Sequence, residues 1–141
     1  MRKIAAIDIG SNAVRMLICY ILMNEDEYFF QKNQYIRLPL RLGEDSFKTG
    51  SISDDKINTL SNALLSFKYT MEVHGVEHYQ IYATSALRDS KNSNDVIKQI
   101  FDLTGMKIKL IDGLKEAKVI AMGNPMEKLD FDKTYLYVDV G

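Results

Sequence analysis

Ile4-Ala5-Ala6-Ile7-Asp8-Ile9-Gly10-Ser11-Asn12 decides the reading of this chain. Six residues from Ile4 to Ile9 are apolar except Asp8, a pattern expected of a strand buried on both faces and central in a covered sheet. Gly10-Ser11-Asn12 then turns the chain, leaving the Asp8 carboxylate at the strand's tip. The far end repeats the arrangement: an apolar run, Tyr135 to Val138, delivers Asp139-Val140-Gly141. Asp at such a tip can hold a hydrated divalent cation, and Gly lets backbone N–H groups approach phosphate oxygens. Asp-x-Gly after a strand is also ordinary turn chemistry. The pairing of two such tips, with Ser11 and Asn12 adding donors, favours a grip on a phosphate chain.

Outward from the first strand, apolar runs at Val14–Ile21 and Tyr28–Leu38 follow across short polar stretches, predicting an antiparallel meander of three strands. Beyond a loop carrying Gly43 and Gly50, Ser53 can cap a helix in which Ile57, Leu60, Leu64, Phe67 and Met71 recur at intervals of three and four, ended by Gly75. His78–Ala83 reads as a strand. Ser93 can cap a second helix with Val96, Ile97, Ile100 and Phe101 inward, closed by Gly105, and Lys107–Ile111 reads as the next strand. A helix from about Leu114 to Met122 precedes the final strand. Three meander strands followed by crossover helices and further strands predict one α/β domain over residues 1–141, a mixed sheet with helices on both faces.

Composition narrows the function classes. The 141 residues are 46% hydrophobic and 26% charged, ordinary globular values. A formal charge of −1 gives no general attraction for nucleic acid or anionic membrane, so a bound polyanion must be held by a local positive field. The single cysteine, Cys19, excludes an internal disulfide and suits a reducing cytosol, with a small buried side chain as its expected role. The apolar stretches fall short of the roughly 20 residues of a membrane span, and Met1-Arg2-Lys3 runs straight into a strand, so a cytoplasmic protein is expected. The sequence offers no Cys/His metal cluster, no Walker-type loop and no serine with a plausible histidine partner, since His74 and His78 both fall at a helix-to-strand turn.

Three further positions could carry chemistry. Thr84-Ser85-Ala86-Leu87-Arg88 follows a strand and enters a helical turn, so its N–H groups and the Arg88 guanidinium could meet an anion; Thr84 as a helix cap and Arg88 as a solvated charge explain it equally well. Arg15, flanked by Ala13, Val14, Met16 and Leu17, must reach an anion or a structural partner such as Asp8 or Glu44. Asp112-Gly113-Leu114-Lys115-Glu116-Ala117 places Glu116 in the first turn of a helix, where it could deprotonate a water or simply complement the helix dipole.

Taken in order, Ala5 to Asn12, Arg41-Leu42-Gly43-Glu44, Ala83 to Arg88, Gly113 with Glu116-Ala117, and Val138 to Gly141 resemble the exopolyphosphatase/guanosine-pentaphosphate phosphatase (Ppx/GppA) family along the chain's whole length. The resemblance implies a ribonuclease H-like lobe of the actin-like, sugar-kinase and Hsp70 superfamily, the amino-terminal lobe of a two-lobed phosphatase, truncated at the start of its second phosphate motif and inactive alone. It further implies that Asp8 and Asp139 hold Mg²⁺ or another divalent cation, and that Gly10, Ser11, Asn12, Arg15, Arg88 and Gly141 contact phosphate. Glu116 is the implied general base, directing water at the terminal phosphorus of polyphosphate or guanosine pentaphosphate. Lys115 stands where many members carry a second glutamate. A polyphosphate- or alarmone-binding sensor and the ATP-binding lobe of a related kinase are the competing readings. Neither nucleic acid nor membrane is an expected partner; the oligomeric state of the longer protein is left open, a homodimer among the alternatives.

Overall fold

The computed structural model describes residues 1–24 and 27–123. The alternation of side chains sets the first three strands: β1 (Arg2–Ile9), β2 (Val14–Asn24) and β3 (Glu27–Leu38) form the antiparallel meander, with Ile7 opposite Met16 and Met16 opposite Ile36. The chain then passes through α1 (Leu42–Thr49) and α2 (Asp54–His74) and returns as β4 (His78–Ala83), parallel to β1. The short α3 (Ser85–Arg88) and α4 (Ser93–Thr104) lead to β5 (Ile108–Leu110), parallel to β4, and α5 (Gly113–Gly123) follows. The strand order β3-β2-β1-β4-β5 puts β1 at the centre of a mixed sheet.

One face of that sheet carries the core. Ala5, Ile7 and Ile9 of β1, Val14, Met16 and Ile18 of β2, and Ile81 and Ala83 of β4 are buried against Leu60, Leu64, Phe67 and Met71 of α2 and Val96 and Ile100 of α4. The expectation that β1 is buried on both faces is corrected for the described residues: Ile4 and Asp8 are half-buried and Ala6 is exposed. The strand looked uniformly apolar because Ala6, with little surface to bury, breaks no pattern when it faces outward. Cys19 pairs with Ile4 across β1–β2 and shares this more open face. Burial pushes its thiol above the usual value, with Lys32 acting in the opposite direction, so a packed thiol fits better than a reactive one.

The segment read as a loop around Gly43 is α1. Its N-terminal end is fixed from outside: the Gly43 N–H donates to the Ser11 carbonyl (2.9 Å) and the Arg41 N–H to the Asn12 carbonyl (2.9 Å). A Cβ at Gly43 would lie 2.8 Å from a Phe47 ring carbon and 3.1 Å from the Ser11 Cβ, so any larger residue would displace Phe47 and press on the Ser11 turn. At the other end, Asp45 accepts from both the hydroxyl and the N–H of Ser53, while the Ser53 hydroxyl caps α2 at the Lys56 N–H. The Ser53 hydroxyl bond, followed by that from its N–H, holds the Asp45 carboxyl below its ordinary 3.8. A carboxylate lowered on folding stabilises the fold above its unfolded pKa, and that contribution disappears as pH falls through the folded one. As the pH drops below about 3.8, the parent is therefore expected to lose more thermal stability than Asp45→Asn; parallel melting curves over that range check it.

Two smaller expectations also shift. Asn92, rather than Ser93, occupies the cap position of α4, and its amide makes no capping bond because it is engaged in two bonds with the backbone of Ile52. Phe101, expected inward, is 42% exposed, since Ile100 occupies the core-facing position beside it. Among the described residues no helix is long and apolar enough to cross a membrane.

Candidate functional site

β1, β4 and β5 run parallel, and their pairing places Ile9 beside Ala83 and Ala83 beside Leu110. Their carboxyl ends therefore share one edge of the sheet, where open α/β sheets habitually bind ligands. The three turns that leave this edge are Gly10–Ala13, Thr84–Arg88 and Ile111–Glu116, and they carry the described candidates. They are joined by backbone bonds: Thr84 N–H to the Ile9 carbonyl (3.2 Å) and Ile111 N–H to the Ala83 carbonyl (3.1 Å).

In the first turn the Gly10 N–H donates to the Ala13 carbonyl (3.0 Å), Ser11 is half-buried and Asn12 is exposed. The Ser11 hydroxyl shares a 3.0 Å hydrogen bond with that of Ser85, tying the first turn to the second. Ser85 stood in the motif without a role; its place one residue after the Thr84 anchor to β1 is what gives it one. Arg15 finds its partner in Asp8, donating from Nη1 to Oδ2 at 2.8 Å, both side chains 42% exposed. They are direct neighbours across β1–β2, and on the other side Arg15 stands opposite Arg37 of β3. Asp8 thus pairs with one of two arginines that the register sets side by side. Arg37 carried no motif; only the strand register shows its position.

Arg88 bridges the second and third turns. Its Nε and Nη2 donate to the two carboxylate oxygens of Asp89 (2.8 and 3.0 Å), and Nη1 donates to the Ile111 carbonyl (3.1 Å). Among the described residues three of the five guanidinium N–H groups are thereby committed and two have no acceptor. The Asp89 bonds hold the guanidinium above its usual pKa, and the charges of Glu116 and Asp112 act in the same direction, against the effect of burial.

Glu116 lies in the first turn of α5, half-buried, with its N–H on the Asp112 carbonyl (2.9 Å). Asp112 caps this helix by accepting from the Lys115 N–H (2.7 Å). The Lys115 ammonium is directed over the Tyr82 ring, 5.5 Å from its centroid, a cation–π placement.

Asp139 and Gly141 lie outside the described residues, as does the strand expected at Tyr135–Val138. Among the described residues no three His, Cys, Asp or Glu side chains gather into a cation site. Asp8 alone nevertheless suits Mg²⁺, which keeps most of its waters and takes one or two carboxylates together with substrate phosphates: Arg15 occupies Oδ2, and Oδ1 accepts no hydrogen bond among the described residues.

Comparison with known proteins gives this edge a context. Residues 23–141 match the model of the Ppx/GppA phosphatase family. A bifunctional 3-dehydroquinate synthase/phosphatase of Fusobacterium nucleatum is 34% identical over 97% of this chain and 21% of its own length. Exopolyphosphatase 2 of Mycobacterium tuberculosis is 26% identical over the whole chain and 46% of its own. In three dimensions, an exopolyphosphatase from Cytophaga hutchinsonii superposes with a TM-score of 0.75 at 25% identity, over 84% of this chain and 36% of that one. The chain thus spans less than half the length of these proteins. With a match covering most of its residues and the family's actin-like, ribonuclease H-like sheet, the chain belongs to the Ppx/GppA phosphatase family.

Proposed function

We propose that this chain forms one wall of a phosphohydrolase cleft that releases terminal orthophosphate from inorganic polyphosphate or guanosine pentaphosphate. The observation that carries the reading is the alignment of the β1, β4 and β5 carboxyl ends, which brings Gly10–Asn12, Arg88 and Glu116 to one edge. The Gly10–Asn12 turn binds terminal phosphate oxygens through its N–H groups and the Ser11 hydroxyl, which Ser85 orients. Arg88 neutralises charge with its two uncommitted donors, and Arg15, when it shares its guanidinium with substrate, does the same on the opposite flank.

Glu116 accepts a proton from the attacking water as the oxygen–phosphorus bond forms. The bond to the next bridging oxygen breaks, and its electrons leave with the shortened chain. Asp8, with Asp139, would hold a divalent cation, which when bound offsets phosphate charge and polarises the phosphorus–oxygen bonds. In-line displacement needs donors on both sides of the phosphorus. This chain supplies one side, so the activity belongs to a protein of the relatives' length, whose second lobe completes the cleft.

The test is orthophosphate release by such a protein, with polyphosphate and guanosine pentaphosphate assayed in parallel with Mg²⁺. Release from either supports the proposal and names the substrate. Tight binding of both without release replaces the hydrolase by a sensor.

A further inference from the structure

Among the described residues Arg41 is the one non-glycine residue with a positive φ (54°, with ψ 49°). It occupies the N-cap position of α1, yet its side chain makes no capping bond. The fold would be better served by asparagine on both counts: asparagine tolerates the left-handed region and caps helices well, and arginine does neither. Burial does not account for the residue either, since its side chain is 65% exposed. The local structure therefore holds an unfavourable residue without using its side chain as a cap, a pattern associated with functional positions.

What the local structure does fix is the location. The Arg41 N–H is bound to the Asn12 carbonyl and, two residues on, the Gly43 N–H to the Ser11 carbonyl, each at 2.9 Å. Arg41 is thus fastened to the rim of the turn assigned to phosphate. Its guanidinium reaches one polar group among the described residues, Glu44 Oε1 at 3.5 Å, the outer limit of a hydrogen bond. The other oxygen of Glu44 lies 3.7 Å from Lys56 Nζ, which itself donates to the Leu40 carbonyl at 2.6 Å. Lys56 also acts on the neighbouring Asp45 carboxylate, so Glu44 is not tied to Arg41 alone, and Arg41 is the cation of this group with donors to spare.

We propose that Arg41 is a specificity-determining contact, taking oxygens of the phosphates that extend beyond the one seated on the Gly10–Asn12 turn. This rests on the reading of that turn as a phosphate site. It makes the site favour an oligophosphate over orthophosphate, because a single phosphate on the turn leaves the rim guanidinium unused.

Calorimetric titration of a protein of the relatives' length with inorganic tripolyphosphate and with orthophosphate tests it, alongside thermal melting of each variant. Arg41→Asn is expected to weaken tripolyphosphate binding about tenfold at low salt, the order of one charge-assisted contact, with orthophosphate affinity unchanged. Its melting midpoint is expected to hold or rise, since the backbone strain is relieved. Arg41→Lys is expected to recover part of the loss by restoring charge without the planar fork. Tripolyphosphate affinity unchanged in Arg41→Asn, an equal loss for orthophosphate, or a midpoint lowered by several degrees would each overturn the assignment. Arg88→Ala separates the levels: if it weakens binding while Arg41→Asn does not, the phosphate site stands and only Arg41 fails. If the parent takes up no tripolyphosphate, the reading of the turn fails and this inference with it.

Discussion

Glu116→Gln in a protein of the relatives' length is expected to reduce orthophosphate release by about 10²–10⁴-fold, the usual contribution of a positioned general base. The amide retains size and shape and loses the ability to accept the water's proton. Because Glu116 is anchored through its own N–H to the Asp112 carbonyl, and the Asp112 side chain caps α5 at Lys115, the substitution leaves the local fold intact. Substrate affinity is therefore expected to persist while turnover collapses. Single-turnover kinetics beside equilibrium binding read the two separately. Undiminished turnover removes Glu116 from the chemistry, and a parallel loss of binding makes it a structural residue of the α5 turn instead.

The second large effect is on stability. Phe67 is 1% exposed, a large side chain at the middle of α2 within the cluster that also holds Leu60, Leu64, Ile7 and Met16. Phe67→Ala is expected to destabilise the fold by about 3–5 kcal/mol, combining lost transfer energy with the cavity left behind. For a domain of this size that lowers the melting midpoint by on the order of 10–20 °C. Denaturant titration with an unchanged slope checks that the loss is one of stability. A change below about 1 kcal/mol would mean that the neighbouring helices close over the gap, and that α2 does not hold a fixed packing against β1.

How much of this was legible in the sequence follows from the physics of each element. The meander, the order of helices and strands, and the inward face of α2 follow local periodicity and are read directly from apolar spacing. The Asp8–Arg15 pair was one of two partnerships open to a charge within an apolar run; the antiparallel register selects it over Glu44. Helix α1 was concealed because Gly43 looks like a loop residue, whereas here its missing Cβ is what admits the Ser11 turn. The cues to it were Glu44 and Asp45 in the first turn, Lys48 in the last and Gly50 just beyond. Ser85 and Arg41 stood in quoted motifs without a role of their own, and Arg37 in none, for a common reason: each acquires its significance from a residue far away in sequence, namely Ser11, Asn12 and Arg15 respectively. The sheet brings those partners together; no spacing along the chain announces them.

The central claim is that three turns at one sheet edge form a single phosphate site, and amide chemical-shift mapping during titration with inorganic tripolyphosphate tests it most directly. The account predicts concentration-dependent shifts clustered at Gly10–Asn12, Thr84–Arg88 and Asp112–Glu116, with the Arg41–Gly43 amides joining them. Shifts confined to the Lys107 and Lys109 edge of the sheet, or none at saturating ligand, would contradict it.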